Sequence, residues 1–256
     1  MDCYIIPPLS RLDLMELGDR FFCLAQLYKR DENYRQFFKK KVAENEWVTL
    51  DNGTGDGEAI SQDELFEIML DLMPSEVIPL DVLFDGVETL KNTKDFIERL
   101  RREELEDRIE LFACPQGNTF EEWLECYLEL SKLEEVKTIG MSKLAIPWVV
   151  SQSKGDTNIA RDRNKMFDYL KENSLLKKQL HFLGAGEVEE FSHYKESPYV
   201  RSTDSCFSIW SAMNGMSFKE NFKRIPTPRN YFDLDVTEEQ IILAKENIEV
   251  LRSYLD

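Results

Sequence analysis

The feature that most constrains this chain is a unit that recurs along it: a short apolar run, an acid or a glycine at its end, then a helix-starting signal. Trp47 to Gly57 shows it in full. Trp47-Val48-Thr49-Leu50 is an apolar run that ends in Asp51. Asn52-Gly53 breaks it, Gly55 and Gly57 extend the loop, and Ser61-x-x-Glu64 forms a capping box that opens a helix. A strand that is apolar on both faces is one destined for a parallel sheet covered by helices.

The unit predicts eight strands. They start at Tyr4-Ile5-Ile6, Phe21 to Ala25, Trp47 to Asp51 and Val77 to Val82. The rest are Ile109 to Gly117, Val136 to Gly140, Leu180 to Gly186 and Tyr199 to Ser205. Helices are predicted between them at 32–43, 63–73, 87–107, after Thr119 and at 161–173. Thr237-x-x-Gln240 caps a last helix. Eight strands alternating with helices in 256 residues predict an α/β fold, a single (β/α)8 TIM-type barrel. Residues 211–256 then form a C-terminal extension with a closing helix. The alternative is an open doubly wound sheet. The barrel is favoured because Asp51, Asp81, Gln116, Gly140, Gly184 and Asp204 follow six strands in a row, and only a barrel gathers those ends at one mouth.

Composition narrows the chemistry. The five cysteines are scattered and form no Cys-x-x-Cys pair, so neither a thiolate zinc site nor a disulfide framework is expected; free thiols fit a reducing cytoplasm. No metal or cofactor is called for. No run of 18 apolar residues exists, and the acidic N-terminal stretch does not read as a signal peptide, so no membrane contact is expected. The net charge of −17 argues against a general nucleic-acid coat. The charge is uneven, however. Lys137 to Arg229 holds 15 Lys and Arg against 10 Asp and Glu, which leaves 17 against 39 elsewhere. Lys143, Lys154, Arg161, Arg163, Lys165, Arg201, Lys219, Lys223, Arg224 and Arg229 are candidates for a limited basic groove. The competing reading is ordinary solvated surface.

Three carboxylates and an amide at one mouth suit a polar, uncharged or cationic substrate. Two carboxylates can divide the work of nucleophile and general acid/base at an acetal-like carbon, as in a glycosidic bond to a sugar or a nucleobase. Asp81 and Gln116 would read hydrogen-bonding edges. Gly117, Gly140 and Gly184 let backbone amides approach a flat ligand.

Taken in order, LDNG (50–53), PLDV (79–82), CPQGN (114–118), TIGMS (138–142), FLGAG (182–186) and STDS (202–205) resemble the motif ladder of the tRNA-guanine transglycosylase superfamily. The resemblance is strongest to the DpdA-like branch, which inserts 7-deazaguanines into the DNA of some phages and bacteria. It implies a base exchange in which an aspartate attacks C1′ of a guanosine and a 7-deazaguanine such as preQ0 replaces guanine. Asp204 would be the nucleophile and Asp51 the general acid/base. Asp81 and Gln116 would recognise the purine, and Gly117, Gly140, Leu183 and Gly184 would line its pocket. Lys143, Arg161, Arg163, Arg201 and Arg224 would touch nucleic acid. The 151–158 loop and the aromatic stretch from Trp210 to Phe218 would hold the gap left by a flipped base.

The chain departs from the superfamily in lacking its Cys-x-Cys-x-x-Cys…His zinc module; the last 45 residues hold no Cys and no His. Four readings stay open. They are exchange into DNA, the same site acting on a free nucleoside, nucleotide or tRNA, a non-catalytic barrel that binds a deazaguanine or a protein partner, and an unrelated barrel hydrolase. A protein partner that supplies the missing nucleic-acid contacts belongs with the first. The expected setting is the cytoplasm, or the host cytoplasm if the chain is viral.

Overall fold

The computed structural model describes residues 1–57, 60–153, 157–220, 222 and 224–255. The eight predicted strands are all present: β1 (Asp2–Ile5), β2 (Phe21–Leu24), β3 (Val48–Asp51), β4 (Glu76–Val77), β5 (Glu110–Ala113), β6 (Val136–Met141), β7 (Gln179–Phe182) and β8 (Val200–Ser205). They pair in parallel in the order β1-β8-β7-β6-β5-β4-β3-β2. A parallel bridge between Tyr4 and Arg20 brings β1 back to the start of β2, so the sheet is a nearly closed barrel. The open doubly wound sheet is thereby excluded.

The helices among the described residues are α1 (Ala25–Arg30), α2 (Glu32–Ala43), α3 (Gln62–Leu72), α4 (Gly86–Arg102), α5 (Phe120–Lys132), α6 (Ala145–Ser151), α7 (Ile159–Glu172), α8 (Val188–Tyr194), α9 (Phe207–Met213) and α10 (Glu238–Leu255). Their starts follow local chemistry. Asp31, Ser61, Asp85 and Thr119 each accept a backbone N–H of the first turn, which satisfies a donor that the helix cannot. Ser61 and Glu64 complete the capping box, and Thr237 and Gln240 form a second one. The one short strand is β4. The sequence suggested a strand through Val82, but ladder pairing covers only Glu76 and Val77, and Pro79, which has no N–H, follows. Helices α1, α6, α8 and α9 were not foreseen; each is seven residues or fewer, too short to show a periodicity.

The barrel interior is packed in layers. At the N-terminal end, buried Glu76 accepts two hydrogen bonds from Arg201 (2.8 and 2.8 Å), one from Thr49 (2.9 Å) and one from Thr138 (2.7 Å). Above this polar plug, the rings of Tyr4, Phe22 and Phe112 surround His181 at centroid distances of 5.3, 5.8 and 5.1 Å. Asp204 and the open mouth lie above that ring layer. The C-terminal segment belongs to the same body: α10 packs on α9, Met1 donates to the Leu255 carbonyl, and Arg252 pairs with Asp19. No described helix is long and apolar enough to cross a membrane.

Candidate active site at the barrel mouth

The C-terminal ends of the strands enclose a cavity of about 570 Å³, within the range of small-molecule sites. Asp51, Asp81, Cys114, Lys143, Leu183, Gly184 and Asp204 border it, and residues 224–232 cross its rim.

Asp204, near the end of β8, is built with two unlike oxygens. Oδ1 accepts from His181 Nε2 (3.0 Å) and from the Gly184 backbone N–H (2.8 Å). Oδ2 has no hydrogen bond among the described residues, although the side chain borders the cavity. Burial alone would raise the Asp204 pKa. The bonds from His181 and Gly184, with the positive charge of Lys143 nearby, outweigh it and hold the carboxyl below its usual range. His181 is fully buried, and burial pushes its pKa down, which keeps the ring neutral. A neutral ring carries one N–H, and an ionised carboxylate only accepts. Nε2 is therefore the donor to Asp204, and Nδ1 accepts from Ser202 Oγ (2.8 Å).

Asp51 borders the cavity from the end of β3 and Asp81 from the loop after β4. The turn after β3 fixes both. Gly53 takes the left-handed conformation (φ 82°) and its N–H donates to Asp51 Oδ2 at 3.0 Å. Asn52, 1 % exposed, donates to Asp81 Oδ1 (2.8 Å) and to the Pro79 carbonyl (2.9 Å), while its own Oδ1 accepts from Thr54 N (2.7 Å). Burial raises the Asp81 pKa, against the pull of hydrogen bonds from Asn52 and Gln116.

Several sequence expectations change here. Gln116 does not reach the cavity. It is fully buried, its amide donates to Asp81 Oδ2, and its oxygen accepts from Phe84 N (3.2 Å). Both ends are occupied, so it orients Asp81 rather than reading a ligand edge. Gly117 lies behind it, where an added Cβ would sit 2.3 Å from the Trp123 nitrogen at the start of α5. Gly140 is inside β6, and an added Cβ would meet Cys114 Sγ and Phe112 at 2.7 Å; its role is to leave room for those side chains. Leu183 and Gly184 do border the cavity, as expected.

The basic residues divide. Lys143, Arg224 and Arg229 border the cavity. Arg201 is at the opposite end of the barrel, bound to Glu76, because its place at the start of β8 points it into the N-terminal plug. Arg163 is fully buried: it pairs with Glu190 and donates to the carbonyls of Met141 and Leu183, tying the ends of β6 and β7 together from behind. Arg161 pairs with Asp162, and Lys219 pairs with Glu246. Arg163 and Arg201 are thus engaged inside the protein, whereas Arg161 and Lys219 stand exposed in surface ion pairs. Lys154, Lys223 and part of the 151–158 loop lie outside the described residues. Phe218 is buried against Phe207 and Phe222, and Trp210 donates to the Pro226 carbonyl, so that aromatic stretch is structural rather than a wedge.

Sequence reasoning missed His181 and Asn52. Only two histidines exist, and one placed two residues before a strand-end Leu-Gly was a legible signal. Asn52 was taken only as a turn former. Among the described residues, no three His, Cys, Asp or Glu side chains converge so as to hold a metal ion. Fold and site together define a (β/α)8 barrel with a carboxylate-bearing pocket at its C-terminal mouth. No protein-family model matches the chain, and no curated protein matches it.

Proposed function

We propose that this protein is a base-exchange transglycosylase that replaces a guanine, with a 7-deazaguanine as the incoming base and DNA as the preferred substrate. The observation that carries the reading is Asp204. Its Oδ1 is held by His181 and Gly184, its Oδ2 has no hydrogen bond among the described residues, and the side chain borders a cavity that Asp51 and Asp81 also line. The order of strand-end motifs, which resembles the tRNA-guanine transglycosylases, supplies the reaction type.

In this scheme Asp204 Oδ2 attacks C1′, the C1′–N9 bond breaks, and guanine leaves with a proton from Asp51. The incoming base loses its N9 proton to Asp51, attacks C1′ and displaces Asp204, which restores both carboxyls. His181 and Gly184 N–H hold Asp204 in the attacking rotamer. Asp81, kept in place by Asn52 and Gln116, accepts from the purine's N–H groups. Lysines and arginines in the described groove are few, and the charge of −17 favours a second reading, the same chemistry on a free nucleotide.

The test is exchange of labelled guanine into DNA, tRNA and guanosine, with wild type and Asp204→Asn side by side. Label entering one of the three, and absent with the variant, supports the reading and names the substrate. Full activity of Asp204→Asn removes Asp204 as nucleophile.

A further inference from the structure

The acids that border the cavity are spread around it: Asp51 and Asp81 on one side, and Asp204 on the other, close to a lysine. Asp51 ends β3 and Asp81 lies in the loop after β4. In an eight-stranded barrel with this strand order, β3 lies opposite β7 and β4 opposite β8. On the β7 side stands Lys143, from the loop after β6. Its side chain lies across Gly184: an added Cβ there would be 2.7 Å from Lys143 Cδ and 3.1 Å from Nζ. Gly184 is left-handed (φ 61°), which favours glycine, and its missing Cβ leaves room for the lysine side chain.

The half-buried Lys143 ammonium makes no ion pair within 4 Å and no hydrogen bond among the described residues. This is notable in a chain with 49 acids against 32 Lys and Arg, where most cations near the helices have partners. Asp204 feels its charge but is not bound to it. Arg229, exposed on the rim segment and without an ion pair among the described residues, borders the same cavity. A cation that borders a pocket and has no direct partner among the described residues can bind an anionic group of a ligand.

We infer that Lys143 is a phosphate-binding residue, and that the occupant of this cavity is a nucleotide unit rather than a free base or an uncharged nucleoside. A base directed at Asp51 and Asp81 places its phosphate toward Lys143 and Arg229. The phosphate has two sources, a free mononucleotide or the backbone of a polymer. The inference deepens the function proposed above and rests on it only for the identity of the base.

Titration calorimetry with guanosine, guanosine 5′-monophosphate, cytidine 5′-monophosphate and a short single-stranded oligodeoxynucleotide containing one guanine tests it, on wild type and Lys143→Met. The expected result is that a phosphate-bearing probe binds wild type about tenfold or more tightly than guanosine. Lys143→Met removes that gain and leaves guanosine unchanged. A gain with the mononucleotide points to free nucleotide, and a gain with the oligonucleotide alone points to polymer. The inference falls if no phosphate-bearing probe binds, if the phosphate adds nothing, or if the gain survives in Lys143→Met. It also falls if guanosine weakens as much as its phosphate does, since Lys143 would then serve only Asp204. Cytidine and guanosine 5′-monophosphates binding equally, both through Lys143, would keep the phosphate site and remove the guanine reading.

Discussion

Replacing His181 with leucine separates the work of the buried imidazole from that of its neighbours. The substitution removes the 3.0 Å bond to Asp204 and the 2.8 Å bond to Ser202 but keeps an apolar side chain among Tyr4, Phe22 and Phe112. Ser202 retains a bond from Arg201 Nε at 3.2 Å, so most of the effect falls on Asp204. A hydrogen bond to a charged group contributes about 1.5–3 kcal/mol. Loss of the His181 bond leaves burial less opposed, so the Asp204 pKa should rise. The sign with pH follows from both groups. Asp204 has a folded pKa below its ordinary value, so its contribution is complete above that value and is lost as pH falls through the folded pKa. His181 is likewise depressed, below its ordinary 6.5; its contribution is complete above 6.5 and shrinks below it, because the unfolded chain takes up a proton that the buried ring refuses. Wild type should therefore be more stable than His181→Leu by about 1.5–3 kcal/mol near neutral pH, with the gap narrowing below 6.5. Urea unfolding across pH, in a double-mutant cycle with Asp204→Asn, measures it. A coupling energy under about 0.5 kcal/mol, or a gap that does not change with pH, would refute the argument.

Three further outcomes are expected. Gly184→Ala should destabilise the fold by about 1–2 kcal/mol in chemical denaturation, because the left-handed backbone disfavours a Cβ, and should displace Lys143 from its seat. Glu76→Gln leaves the Arg201 guanidinium without its bidentate partner and should cost about 3–5 kcal/mol, whereas replacing both residues with apolar ones should cost much less. Gln116→Ala should weaken purine binding through Asp81 rather than directly. Asp81 loses a donor, its already raised pKa climbs further, and the loss of affinity should therefore grow as the pH is lowered, which calorimetry at several pH values would register.

The strands were legible because a strand buried on both faces must be apolar along its length, and β2, Phe-Phe-Cys-Leu, is buried at every residue. The caps at Ser61, Thr119 and Thr237 were legible because they are local chemistry between residues three apart. Asp51, Asp81, Gly184 and Asp204 were placed at the mouth on the strength of strand ends and Leu183 through the resemblance, and all five border the cavity. Gln116, in the loop after β5, is buried against Asp81 and Phe84 instead, and no periodicity could have said so.

Direction and partnership were not legible. Arg163 and Arg201 read as surface cations like Lys143, yet one is sealed against Glu190 and the other against Glu76, 27 and 125 residues away in the chain. His181 carried no mark in the sequence that it would meet Asp204, 23 residues later. What the sequence alone determined was the alternation of buried strands and capped helices, because hydrophobic periodicity and capping act over a few residues. The tertiary structure alone decided which cation faces the cavity, which oxygen of Asp204 is left open and which polar groups hold the carboxylates still. Those outcomes depend on closing the barrel, which brings together side chains from strands far apart in the chain and withdraws them from water, where an unpaired charge must find a partner or wait for a ligand.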